Sequence, residues 1–179
     1  MRKFLKATVV FFLSLVPLVA QDSNETGKPI ITTYSCINIG VNSQVWDFVR
    51  DSRGIIYVGS APGVFEFDGA TWRSIPTINN THARSLAIDK NDRVYVGASG
   101  DFGYLAPNTK GELKFVSLLN NLSNDSKIFS YVWTTHIIKD EIYFQTFEGI
   151  FRFTPISKVN EADDKNASIG NWKVKVWRP

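Results

Sequence analysis

Hydrophobic and polar positions alternate along residues 43–177 with the two-residue period of half-buried strands. In Val64-Phe65-Glu66-Phe67 both phenylalanines fall on one face. Trp172-Lys173-Val174-Lys175-Val176-Trp177 alternates in the same way, placing Trp172, Val174 and Val176 together. No window of a dozen residues repeats apolar positions at three-and-four spacing, and β-branched and aromatic residues dominate the periodic segments. The pattern predicts strands and turns.

The strands recur in order. IYVGSAPGVFEF at 56–67, VYVGASGDFGYL at 94–105 and IYFQTFEGIFRF at 142–153 lie over one another. Tyr57 and Tyr95 are 38 residues apart, as are Gly59 and Gly97; Tyr95 and Tyr143 are 48 apart, with the excess in the Asn/Ser-rich stretch 120–127. A further strand and turn precede each tyrosine, namely Val45–Arg50 before Asp51-Ser52-Arg53-Gly54, Ser85–Ile88 before Asp89-Lys90-Asn91-Asp92, and Val132–Ile138 before Lys139-Asp140. Asp, Asn and Gly at these points supply the side-chain bonds and positive φ that hairpins need. Asp68-Gly69 then turns the first copy towards a fourth strand, Thr71–Ile75. Each unit reads as a four-stranded antiparallel meander, the blade of a propeller.

The predicted fold is all-β: an incomplete β-propeller of about three such blades, at 43–78, 82–119 and 129–157. Residues 172–177 are expected to be a stray strand of a further blade. Residues 21–42 form a leader with a possible closing strand. Blades bury their faces against neighbours, so two end faces should stay open, lined by phenylalanines such as Phe65 and Phe153. Self-association of the isolated chain is the corresponding expectation.

The first copy carries Val45-Trp46-Asp47-Phe48, Asp51, Gly54, Tyr57-Val58-Gly59, Gly63-Val64-Phe65, Asp68-Gly69 and Trp72. These residues resemble the repeat of the two-component regulator propeller family. The second copy lacks a glycine after its Asp89 turn, and the third has Gln145 in place of the strand glycine. The resemblance implies the N-terminal part of a periplasmic sensor propeller in a membrane signalling receptor. It also implies downstream parts of the parent as partners: a β-sandwich, a membrane helix and an output module such as a histidine kinase or nucleotide cyclase. The chain is then a fragment or a truncated reading frame.

The N-terminus supports export. Arg2, Lys3 and Lys6 precede an apolar run from Ala7 to Ala20, and a polar stretch follows from Gln21. This is the form of a secretory signal, 1–20, cleaved after Ala20; an uncleaved anchor and a buried helix are the alternatives. The formal charge is +3, but those three residues account for it: the other 17 of the 20 basic residues match 17 acidic ones. The apparent basicity therefore argues for no nucleic-acid partner. Cys36 is the only cysteine, which excludes an intrachain disulfide and a cysteine zinc site.

Catalytic and cofactor motifs are missing. His82 and His136 have no metal-ligand spacing, and Ser99-Gly100-Asp101 lacks the elbow of a hydrolase. Gly97, Gly100 and Gly103 read as turn glycines, and Asp163 and Asp164 as a solvated loop. Most aromatics occupy repeated strand positions and read as core. Trp46, Arg84 and Trp133 differ, because they stand at corresponding openings of the three units, near one end of a propeller channel. An arginine between two tryptophans suits a small-molecule or glycan ligand, anionic or sugar-like, through charge and stacking. The predicted function is a non-catalytic sensor segment. A secreted scaffold or adhesin is the alternative, and a periplasmic propeller enzyme a third reading.

Overall fold

Three copies of one turn chemistry shape the chain. In the first, Asp51 Oδ1 accepts from the N–H groups of Arg53 (3.0 Å) and Ile55 (2.8 Å). In the second, Asp89 Oδ1 accepts from Asn91 (2.8 Å) and Arg93 (2.9 Å). Asn108 does the same for Lys110 and Glu112. A carboxylate or amide that holds its own backbone in this way starts a hairpin at a defined residue. The glycine absent from the second copy is replaced functionally by Asp92, whose φ of 60° matches the left-handed turn that Gly54 makes at 92°. Asp tolerates that region better than most residues.

The computed structural model describes Gly27 and residues 30–35, 44–156, 168–169 and 172–179. The signal segment 1–20, Cys36, Asp163 and Asp164 lie outside them, as does most of the expected closing strand. Residues 1–33 form one unit and 34–179 another. In the second unit β1 (Asp47–Arg50), β2 (Ile56–Gly59), β3 (Gly63–Phe67) and β4 (Trp72–Pro76) make one antiparallel sheet in sequence order. A second sheet follows with β5 (Ala83–Ile88), β6 (Val94–Ala98), β7 (Phe102–Pro107) and β8 (Leu113–Ser117). The third holds β9 (Val132–Ile138), β10 (Glu141–Thr146) and β11 (Ile150–Pro155). It is completed by β13 (Trp172–Trp177), with the two-residue β12 (Ser168–Ile169) at its edge. This is the expected incomplete propeller-like arrangement.

Adjoining sheets pack face to face. Tyr57, Val64 and Ile75 of the first meet Ala83, Leu86, Val96 and Leu105 of the second. Tyr95, Phe102 and Leu118 of the second unit meet Phe144, Phe151 and Phe153 of the third. Phe102 stacks between Phe129 and Phe144, with ring centroids 5.0 and 4.6 Å away. Each phenylalanine buried this way contributes about 1.5–3 kcal/mol. The strand glycines set the approach: a Cβ on Gly59 would stand 2.9 Å from the Ala83 carbonyl oxygen, and one on Gly97 would overlap Ser85 and Val132.

Two expectations are corrected. Residues 172–177 are no stray strand, because β13 pairs with β11 along its whole length and serves as the fourth strand of the third sheet. The third unit thus extends well past residue 157, across an insertion that hides the repeat. Phe65 and Phe153 line no open face either; they are 4% and 0% exposed. Phe153 points towards the second sheet. Beside Phe65, Tyr34 packs over Phe67 and Trp72, with centroids 5.0 and 5.8 Å apart. The opposite face of the third sheet is largely polar. There Glu141 accepts from Tyr143 (2.6 Å) and Thr154 (2.9 Å) and pairs with Arg152 (3.3 Å).

Candidate ligand site

The first strands of the three sheets lie side by side, β5 between β1 and β9. Leu86 N–H donates to Asp47 Oδ2 at 2.7 Å, joining β5 to β1, and the hydroxyls of Ser85 and Thr135 meet at 2.7 Å, joining β5 to β9. Strands β5 and β9 each begin with an irregularity that frees one residue from the ladder. In β5, Ala83 pairs with Ala98 and Ser85 with Gly97, so Arg84 is left over. In β9, Val132 pairs with Thr146 and Thr134 with Gln145, so Trp133 is left over. Before β1, Trp46 N–H donates to the carbonyl of Gly59, the residue already paired with Asp47. Extra residues of this kind re-aim a side chain. The two register shifts therefore release Arg84 and Trp133, and Trp46 stands just before β1 at the corresponding point of the first sheet.

These three side chains come together. The Arg84 guanidinium carbon lies 3.9 Å from the centre of the Trp46 ring and 4.6 Å from that of Trp133. Tyr131 forms a third wall at 4.3 Å, which the sequence reading missed. Tyr131 stands two residues before Trp133, its ring centroid 5.7 Å from that of Trp133, and bridges to Ser99 of the second sheet's loop. A cation over an aromatic ring gains about 0.5–2 kcal/mol according to its desolvation. Tyr131 and Trp133 remain 41% and 48% exposed, so the box opens to solvent on one side.

The box holds the guanidinium without satisfying it. Arg84 Nε and Nη1 are buried with no hydrogen-bond acceptor among the described residues. Trp46 Nε1, Ser99 Oγ and Glu148 Oε2 are buried and unpartnered as well. Backbone links bring these residues to the same end of the strands: Ser99 N–H donates to the His82 carbonyl (3.0 Å), Gly100 N–H to Ser130 (2.6 Å), and Ser130 N–H to Glu148 Oε1 (3.0 Å). Burial alone would raise the Glu148 carboxyl. Hydrogen bonds from its own backbone, Ser130 and Thr146 outweigh that, and it titrates below the usual carboxylate range.

The remaining polar motifs have structural work. Asp101 is buried and accepts from Phe102 N–H and Ser117 Oγ, both at 2.7 Å. Burial pushes its carboxyl up, against the pull of those bonds. Gly97 and Gly103 leave no room for a Cβ, and Gly100 takes a φ of 69°. Two open clefts, of about 730 Å³ at the Asp89 turn and about 860 Å³ beside Arg53 and Ile55 of the Asp51 turn, lie between neighbouring sheets, away from the aromatic box. Their walls are charged, and Lys90 and Asp140 bridge one of them at 2.8 Å. No helix among the described residues is long and apolar enough to cross a membrane.

Neither a family model nor a curated protein matches the chain. Among solved structures it is similar to two of the extracellular domain of BT4673 from B. thetaiotaomicron. One is described as a one-component system, with a TM-score of 0.38 and 18% identity over 73% of this chain and 25% of that one. The other is described as a hybrid two-component system, with a TM-score of 0.33 and 21% identity over 75% of this chain and 21% of that one. The chain thus spans a quarter or less of either.

Proposed function

We propose that this chain is the ligand-binding, non-catalytic propeller segment of an extracytoplasmic sensor, with Trp46, Arg84, Trp133 and Tyr131 forming the ligand contact. The observation that carries the reading is the Arg84 guanidinium, set among aromatic rings while its buried Nε and Nη1 groups have no acceptor among the described residues. A buried charged donor left unpaired costs about 1–3 kcal/mol or more. A ligand that supplies the acceptor offsets this cost. Aromatic walls add stacking area for a ring or planar group. Because the box draws on all three sheets, a ligand that reorients Arg84 acts on their mutual packing. That gives a sensor a way to convert binding into a shift between arrangements.

The test is a fluorescence titration of the full chain with millimolar sugars and organic acids, since two tryptophans line the box. The reading expects a saturable change for at least one compound class, abolished in Arg84→Ala. A response that is linear and the same in Arg84→Ala would contradict it. In the parent gene, a membrane helix and output domain downstream are expected; a secreted scaffold would have neither.

A further inference from the structure

Arg84, Trp46, Ser99 and Glu148 bring opposite requirements to one end of the first strands. The Arg84 and Trp46 groups are donors, the Glu148 oxygen is an acceptor, and the Ser99 hydroxyl is both. The Glu148 backbone N–H donates to Thr146 Oγ1 at 3.1 Å, and its carboxylate Oε1 receives Ser130 N–H at 3.0 Å. Only Oε2 is left over. Ser130, whose N–H Glu148 Oε1 receives, directly precedes Tyr131, whose ring lies 4.3 Å from the Arg84 guanidinium carbon. Arg84 and Glu148 nevertheless form no ion pair among the described residues. The two charges stay unneutralised by each other.

We infer that Ser99 and Glu148 complete the Arg84 site, and that its ligand is a small carboxylate carrying hydroxyl or ammonium donors near the acid group. The inference rests on the ligand-binding reading above and narrows it. An organic cation does not fit, because Arg84 already fills the aromatic box. A bare inorganic anion meets the donors but leaves Glu148 unpaired and repelled. A neutral sugar reaches Glu148 but leaves the guanidinium without a charged partner. A carboxylate on Arg84 with a donor turned to Glu148 satisfies both ends, and a flat or ring-shaped body lies against Tyr131 and Trp133.

Calorimetry on the full chain tests this with four probes: D-glucuronate, D-glucose, L-serine and sulfate. D-glucuronate and L-serine share the carboxylate but take their donor from hydroxyls or an ammonium, so whichever binds names the source. The expected result is that at least one of them binds about tenfold to a hundredfold more tightly than D-glucose or sulfate. Glu148→Gln should weaken that binding about tenfold, and Arg84→Gln should remove it. Both variants must retain the near-ultraviolet circular dichroism of the parent chain outside the tryptophan bands; Ser99→Ala, which adds no bulk, gives a second route to the same loss. Binding of D-glucose as tight as that of the acids, or sulfate binding unchanged in Glu148→Gln, overturns the inference and leaves the ligand-binding reading standing. No binding of any probe, with tryptophan emission also unchanged, overturns both.

Discussion

The Asp47 carboxylate accepts the backbone N–H of Leu86 at 2.7 Å, linking the first strand of one sheet to the first strand of the next across 39 residues of sequence. Replacing Asp47 by Ala leaves a partly buried N–H without a partner, at a cost of about 1–3 kcal/mol. Asp47→Asn keeps an acceptor and should lose less. Urea denaturation of both variants checks the ranking; equal losses would mean the bond carries no weight.

The sheet contact depends on absence of a side chain as much as on presence of one. A methyl on Gly97 would overlap Ser85 Oγ and Val132 Cγ1 and stand 2.8 Å from Thr135 Oγ1. Overpacking of this kind costs about 1–3 kcal/mol, so Gly97→Ala should lower the thermal midpoint. Gly69→Ala meets nothing within 4 Å but forces an L-residue to a φ of 97°, and it should cost less. A Gly97→Ala variant as stable as the parent would contradict the tight approach of the second and third sheets.

Acid should destabilise the protein. Backbone N–H bonds from Thr71 and Ala70, then the Thr71 hydroxyl and Arg73, hold Asp68 well below the usual carboxylate range. Bonds from Ser52 lower Asp92, and Asn108 with Lys114 lowers Glu112. A carboxyl depressed in the folded state contributes stability that is present above its unfolded pKa and lost as pH falls through the folded one. Asp101, raised by burial, contributes in the opposite sense, with its share lost as pH rises. The depressed groups outnumber it, so the thermal midpoint should fall on acidification from about pH 5 to pH 3. Asp68→Asn should flatten that fall. A midpoint that is constant or rises over the range would contradict the assignment.

Much of this architecture is legible in the sequence because turn chemistry is local. Asp51 and Asp89 bond to residues two and four positions ahead, and that spacing stands in the chain itself. The openings at Trp46, Arg84 and Trp133 align for the same reason. What stays hidden is either parity or insertion. Phe153 and Tyr143 both occupy repeat positions, yet only the strand pairing shows that Phe153 faces the second sheet while Tyr143, opposite Arg152, faces away. Trp172 belongs to a sheet whose third strand ends at Pro155, and the intervening residues mask the repeat spacing. Tyr131 and Glu148 escape notice because their roles depend on contacts between sheets, which no single repeat contains.

One guanidinium gathers side chains from all three sheets. The Arg84 Nε–H resonance in a two-dimensional NMR spectrum of the full chain reports on this arrangement, since stacked rings shift a nearby proton upfield. An upfield-displaced Arg84 Nε–H signal is expected, one that moves when Trp46, Tyr131 or Trp133 is singly replaced by Leu, because each ring centroid lies within 4.6 Å of the guanidinium carbon. A signal at the position of a solvated arginine, indifferent to all three replacements, would contradict it.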